Sequence, residues 1–108
     1  MIYKISGNDF FVDIQINEDG ANISAGRFGD MSLLSSPVFE MRLKKLENGE
    51  NILLSSDSGW GRVEFKENED CRELIFDNPC GISDITVFVN ANVYEHGIYW
   101  TEQVVCDS

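Results

Sequence analysis

The feature that most constrains this chain is a repeated alternation of apolar and polar side chains, interrupted at short intervals by Asn, Asp, Gly and Ser. In the segment that begins at Phe10, an apolar side chain occupies every second position up to Ile16, and Asp13 and Gln15 stand between them. Successive side chains of a β-strand project to opposite faces. The pattern therefore predicts a strand with one buried and one solvated face.

Turn residues separate these segments and predict hairpins. Residues 17–20, Asn-Glu-Asp-Gly, follow the first clear strand, and the alternation then resumes from Ala21. Asp19 and Gly20 are residues that tolerate the positive φ angles of a tight hairpin turn. A second hairpin is predicted around Asn48-Gly49, although residues 38–46 also fit one or two helical turns. Residues 27–37 are interpreted as an irregular connection, and residues 85–89 as a central strand, because they are the most β-prone run.

The strand count defines the fold class. About nine short strands, spaced roughly every ten residues and without a convincing long helix, predict an all-β protein, either a sandwich or a closed barrel. We favour an antiparallel β-sandwich forming one domain over residues 1–108, because 43% of the residues are apolar and a chain of this length suits one core. The sequence stops directly after the last predicted strand, so we interpret it as the N-terminal fragment of a longer protein.

The net charge and the cysteine spacing indicate which binding partners and which cellular compartment to expect. Nineteen acidic and eight basic residues give a formal charge of −11, which repels phosphate backbones and anionic lipids. We therefore expect no nucleic-acid and no membrane partner. Cys71, Cys80 and Cys106 lack CxxC spacing, and the first five residues lack the long apolar core of a secretory signal, so we expect reduced thiols and a cytoplasmic location. A Cys71–Cys80 disulfide is the alternative.

The sequence offers no recognisable catalytic constellation. The only histidine, His96, lies in a predicted loop without a Ser or Cys motif, and neither a nucleophile elbow nor a phosphate-binding loop occurs. We predict that this chain alone is not an enzyme and that it needs no cofactor or structural zinc. Calcium remains an alternative because five aspartates lie in or near turns, although none has EF-hand spacing. They are Asp19, Asp30, Asp57, Asp70 and Asp77.

Four aromatic residues are the candidate ligand-binding positions, because a flat exposed ring beside polar groups can stack on a sugar. They are Trp60, Tyr94, Tyr99 and Trp100. In strict alternation Trp60 lies on the strand face opposite Val63 and Phe65, so it would be exposed if those two side chains pack inward. A ligand-binding role and a packing role are equally compatible with this position. Trp100 alternates in phase with apolar neighbours, which favours the core.

The order of features resembles a known kind of accessory domain. Residues 36–43, 74–76, 85–87 and 97–100 are similar to strands of the N-terminal β-sandwich domains that precede the catalytic barrel in bacterial glycoside hydrolases of the α-galactosidase-like kind. In that family the catalytic carboxylates lie on the barrel, which would follow Ser108, so the resemblance implies no catalytic residue here. It implies an accessory domain that packs on the barrel or shapes its cleft.

The sequence is compatible with three functions. The first is a non-catalytic accessory domain in carbohydrate processing, with carbohydrate and a downstream catalytic domain as partners. The second is an autonomous carbohydrate-binding module. The third is a protein-interaction or oligomerisation domain that uses an exposed sheet edge or apolar patch. The sugar, the strand order and the oligomeric state are not specified by the sequence.

Overall fold

The structure, a computed structural model, describes residues 1–69, 71–79, 82 and 85–106 and is all-β over these ranges. No helix occurs in them, so none that could cross a bilayer is present in the described part of the chain. The eleven strands are β1 (Ile2–Gly7), β2 (Phe10–Ile16), β3 (Ala21–Phe28), β4 (Met31–Leu33), β5 (Ser36–Pro37), β6 (Glu40–Lys44), β7 (Asn51–Ser55), β8 (Trp60–Glu67), β9 (Cys71–Pro79), β10 (Ile85–Tyr94) and β11 (Gly97–Cys106). The predicted all-β antiparallel fold is confirmed.

The first sheet contains the N-terminal strands in the order β1-β2-β3-β4, and β5 pairs with β3 beside β4. Both short strands lie in the segment that the sequence indicated as irregular, which explains the excess over the expected strand number. The ladder between β2 and β3 shifts register between Asp13 and Ile14, because Asp13 pairs with Ala25 whereas Ile14 pairs with Ile23. Ser24 is the extra residue, and its hydroxyl donates to the Asp13 carbonyl at 3.4 Å.

The second sheet contains the C-terminal strands in the order β8-β9-β10-β11, and all neighbours are antiparallel. Residues 85–89 lie in β10, which has a partner on each side, so the predicted central strand is confirmed. The strands β6 and β7 form a separate hairpin, as the Asn48-Gly49 signal predicted. The helical alternative for residues 38–46 is wrong, because Glu40–Lys44 is a strand.

The two large sheets share one core, in a sandwich-like arrangement. Ile5, Val12 and Ile14 of the first sheet and Phe76 and Val87 of the second are at most 1% exposed and belong to one apolar cluster. The rings of Tyr3 and Phe65 stack between the sheets, with centroids 4.0 Å apart. Burial of such side chains contributes about 1.5–3 kcal/mol each, so this cluster is the main source of stability.

The loop before β6 and the end of β7 close one end of the core. Phe39 contacts both Phe76 and Trp60 edge to face, with centroids 5.0 and 5.7 Å apart. Ser56 is fully buried, and its hydroxyl accepts the backbone N–H of Val38 at 2.7 Å and that of Phe39 at 3.3 Å. A buried serine thus satisfies two amides that have turned away from a strand ladder.

Trp60 differs from the position that strict alternation predicts. Only 3% of its surface is exposed, and its indole N–H donates to the Ser55 carbonyl at 2.8 Å. The pairing is irregular beside this residue: Trp60 pairs with Pro79, and Asn78, the residue before Pro79, has a left-handed backbone with φ 55. Trp60 and Val63 both contact the apolar core although they are three positions apart, which an uninterrupted alternation does not allow.

Candidate functional site

The two exposed tyrosines of the candidate set lie on one side of the β10–β11 hairpin. Asn92 pairs with Tyr99 and Tyr94 pairs with Gly97, so Tyr94 and Tyr99 are diagonal neighbours on the same face. This is the outer face of the second sheet, because Ala91, which projects to the side opposite Asn92 and Tyr99, belongs to the core. The two residues are 61% and 62% exposed. Their flat surfaces are therefore accessible to a ligand.

Polar side chains continue this face across the sheet. Asn90 pairs with Thr101 on β11 and with Glu73 on β9, and Asn92 pairs with Cys71. The Cys71 thiol lies 3.8 Å from Oδ1 of Asn90. Amide, hydroxyl and carboxylate groups thus stand in rows beside the two aromatic rings. We call this set the tyrosine face, comprising Tyr94, Tyr99, Asn90, Asn92, Thr101 and Glu73.

The turn of the hairpin is fixed to the opposite sheet. The backbone N–H of Asn8, between β1 and β2, donates to the carbonyl of Glu95 at 2.9 Å. The amide of the Asn8 side chain also donates to the Glu95 carboxylate at 3.0 Å. A depression of ≈ 740 Å³, open to solvent, is lined by Tyr94, Glu95, His96, Gly97, Ile98 and Tyr99. His96 is exposed at the rim of this depression.

The four predicted ligand-binding aromatics do not form one site. Tyr94 and Tyr99 stand together, whereas Trp100 pairs with Ala91 on the inner face and packs partly buried against the core. Trp60 lies on β8, at the far edge of the same sheet, and is buried. Of the two roles left open for Trp60, the structure agrees with the packing role, because its ring contacts Phe39 and Phe76 in the core and offers no surface for stacking.

Two of the five aspartates, Asp77 and Asp19, have partners within the protein. Asp77 accepts a hydrogen bond from the Thr86 hydroxyl at 2.7 Å and pairs with Arg62 at 2.6 Å, and Asp19 accepts from the Gly59 amide at 3.3 Å. Over the ranges that the structure describes, no three His, Cys, Asp or Glu side chains are grouped closely enough to hold a metal ion. Asp70 lies outside those ranges.

Of the two cysteines in the alternative Cys71–Cys80 disulfide, the structure describes Cys71. Cys71 forms no disulfide and is half-buried next to Asn90 on the outer face. Cys80, its proposed partner, lies outside the described residues.

Sequence reasoning missed the polar members of the tyrosine face. Asn90, Asn92 and Glu73 carry no motif, and they become neighbours of Thr101 only through the pairing of three strands. The alternation within residues 85–94 does show that the two asparagines share a face with Tyr94. This alternation, combined with a hairpin turn at residues 95 and 96, is the sequence signal that could have identified Asn90 and Asn92 as neighbours of the tyrosines.

No family model, curated protein or solved structure matches the chain. The resemblance to the N-terminal domains of bacterial glycoside hydrolases therefore stays a prediction, and the residues of the site carry the functional argument.

Proposed function

We propose that the chain is a non-catalytic saccharide-binding domain that serves as an accessory in carbohydrate processing, and that it binds through the tyrosine face. The observation that carries this proposal is the pair of exposed rings, Tyr94 and Tyr99, on the same side of the sheet as the amides of Asn90 and Asn92. The pairing of the accessory domain with a glycoside hydrolase is part of the proposal and rests on the resemblance given above.

The chemistry of a sugar fits this arrangement. The C–H groups on one side of a pyranose ring form an apolar surface that packs on an aromatic ring, while its hydroxyl groups need both donors and acceptors. Asparagine amides offer both, and the carboxylate of Glu73 adds an acceptor. A shallow and open surface suits an extended oligosaccharide better than a small molecule that must be enclosed.

The tyrosine face also has a rigid support. The hairpin turn is held to the β1–β2 turn by two hydrogen bonds between Asn8 and Glu95, and the inner side of the hairpin packs on the core. Binding then orders mainly the two tyrosine side chains. Such preorganisation reduces the entropy that a weak ligand must overcome.

Calorimetric titration of the purified chain against a panel of oligosaccharides tests the proposal. We expect one or more saccharides to bind, and Tyr99→Ala and Tyr94→Ala each to weaken that binding about tenfold, the effect of losing one stacking contact. Tyr99→Phe retains the ring and should retain most of the affinity. Leu53→Ala removes a comparably exposed side chain, 60% exposed, on the separate β6–β7 hairpin and should change nothing.

Two results would overturn the proposal. One is the absence of binding to every saccharide tested by a chain whose circular dichroism shows a folded β protein. The other is binding that survives replacement of both tyrosines by alanine.

A further inference from the structure

We propose that β11 is an association edge, at which two copies of the chain pair antiparallel about a two-fold axis that passes beside Thr101. Within the described part of the chain β11 pairs only with β10, so the other side of its backbone has no strand partner. Pairing of two such edges would join two four-stranded sheets into one continuous sheet. The inference stands apart from the proposed saccharide binding.

The other edges of the two large sheets carry features that hinder strand addition. β1 has only six residues and includes Lys4, and the edge beside β3 is divided between β4 and β5, of three and two residues. β8 carries Arg62 and Lys66. Short strands and basic side chains are the usual protection of sheet edges.

β11 lacks each of these features. It is ten residues long, and its sequence contains no Lys, Arg or Pro and a single charged residue, Glu102. Its ladder with β10 runs without a register shift from Tyr94 and Gly97 to Ile85 and Cys106. A long, regular and nearly uncharged edge is the kind of strand that adds to another strand.

The symmetry of a dimer limits the register. Directly opposed residues lie on the same face of a sheet, so a two-fold axis between identical strands must pass beside one residue rather than between two. Thr101 and Glu102 are the two residues nearest the middle of β11. An axis at Glu102 would place two carboxylates directly opposite each other, which is unfavourable. An axis at Thr101 opposes two threonines, a favourable pair.

With the axis at Thr101, the other opposed side chains of the two copies are also compatible with each other. Ile98 faces Val104 of the second copy, so two apolar side chains meet at each end, and Val104 is 49% exposed in the single chain. Tyr99 faces Gln103, and Trp100 faces Glu102, so the only charge of the strand lies opposite an indole. No like charges are opposed along the strand.

The overall charge of −11 sets the conditions for this association. Two copies repel each other at long range, and salt screens this repulsion while leaving the backbone hydrogen bonds of the paired edges little changed. Association should therefore strengthen as ionic strength rises. In the dimer the tyrosine faces of both copies lie on the same side of the joined sheet.

Sedimentation equilibrium over a range of protein and salt concentrations tests the inference. We expect a monomer–dimer equilibrium that shifts toward the dimer with added salt, and Val104→Lys should raise the dimer dissociation constant about tenfold or more by placing an ammonium group opposite Ile98. Ser58→Lys adds the same charge on an exposed turn and should leave the dimer intact. A strict monomer at all concentrations, or equal effects of the two lysines, would overturn the inference.

Disulfide trapping tests the register itself. Thr101→Cys places two thiols directly opposite each other at the axis, within the Cα separation that a disulfide requires, and should give a covalent dimer under mild oxidation. In Gln103→Cys the two new thiols stand about 13 Å apart along the strands and should not react with each other. The natural cysteines are present in both variants and in the parent chain, so crosslinking is scored as the increase over the parent. No increase with Thr101→Cys, or a larger one with Gln103→Cys, would contradict the proposed dimer.

Discussion

Gly20 lies directly against the backbone carbonyl of Asp57, so closely that a Cβ atom on Gly20 would overlap it. Asp19 and Gly20 tolerate positive φ angles, but neither is among the residues with a left-handed backbone. The glycine is required for space and not for its conformational freedom. The contact joins the β2–β3 turn to the β7–β8 turn, where Ala21 donates to the Ser56 carbonyl at 2.7 Å.

Replacement of Gly20 by alanine should destabilise the protein strongly. The added methyl group meets backbone atoms, which cannot rotate away, so we expect a loss of about 3 kcal/mol or more in the free energy of unfolding, measured by urea titration. Gly97→Ala is the matched control, because no atom lies within 4 Å of its Cβ position. Its effect should be within about 0.5 kcal/mol. Equal stabilities of the two variants would contradict the steric argument.

Removal of the Ser56 hydroxyl should leave two amides, one buried and one partly buried, without their acceptor. Ser56→Ala is expected to lower the free energy of unfolding by about 1–3 kcal/mol, because the N–H groups of Val38 and Phe39 lose the hydroxyl of a fully buried side chain. Ser58→Ala, on the exposed side of the same turn, should have little effect. Thermal denaturation followed by circular dichroism distinguishes the two variants.

Truncation of Trp60 should be among the most damaging changes in the chain. Its ring fills the space between Phe39 and Phe76, so Trp60→Ala should cost about 3–5 kcal/mol of unfolding free energy. Tyr99→Ala removes a ring that is 62% exposed and should cost within about 0.5 kcal/mol. A Trp60→Ala protein as stable as Tyr99→Ala would show that the tryptophan is not a core residue.

The left-handed backbone at Asn78 gives a prediction about the orientation of Trp60. Asn78→Gly should be tolerated within about 0.5 kcal/mol, because glycine adopts φ 55 freely. Asn78→Val should cost about 1–2 kcal/mol, because a β-branched residue is strained there. If Asn78 sets the inward turn of Trp60, the valine variant should also change the near-ultraviolet dichroism of the tryptophans. An unaltered spectrum with unaltered stability would contradict this.

Much of the fold could be predicted from the rhythm of the sequence. Val12 and Ile14 alternate in phase and are buried, and the hairpin signals at residues 17–20 and at Asn48-Gly49 mark real reversals. Trp60 could not be placed in this way. Its inward direction coincides with the left-handed backbone of Asn78 beside Pro79, its partner in the ladder, and this feature of a different strand has no signature in the local pattern of β8.

The candidate site could be predicted only in part for a similar reason. The tyrosines were visible as aromatic residues near a turn, and Tyr94 and Tyr99 are indeed neighbours on an exposed face. Glu73 belongs to the same row because of the register between β9 and β10. Register is a property of strand pairs, and a single strand contains too little information to fix it.

Every strand of the two large sheets pairs with a strand next to it in the sequence, apart from the short β5, so each sheet is a simple meander. Most of the backbone ladders then close over short stretches of chain, which lowers the contact order and favours rapid folding. Each of the two large sheets can form its strand pairs before the apolar faces of the sheets meet. A kinetic study should therefore find that strand formation precedes burial of the tryptophans. A substitution that weakens the contact between the turns at Gly20 and Asp57 should increase the unfolding rate more than it decreases the folding rate.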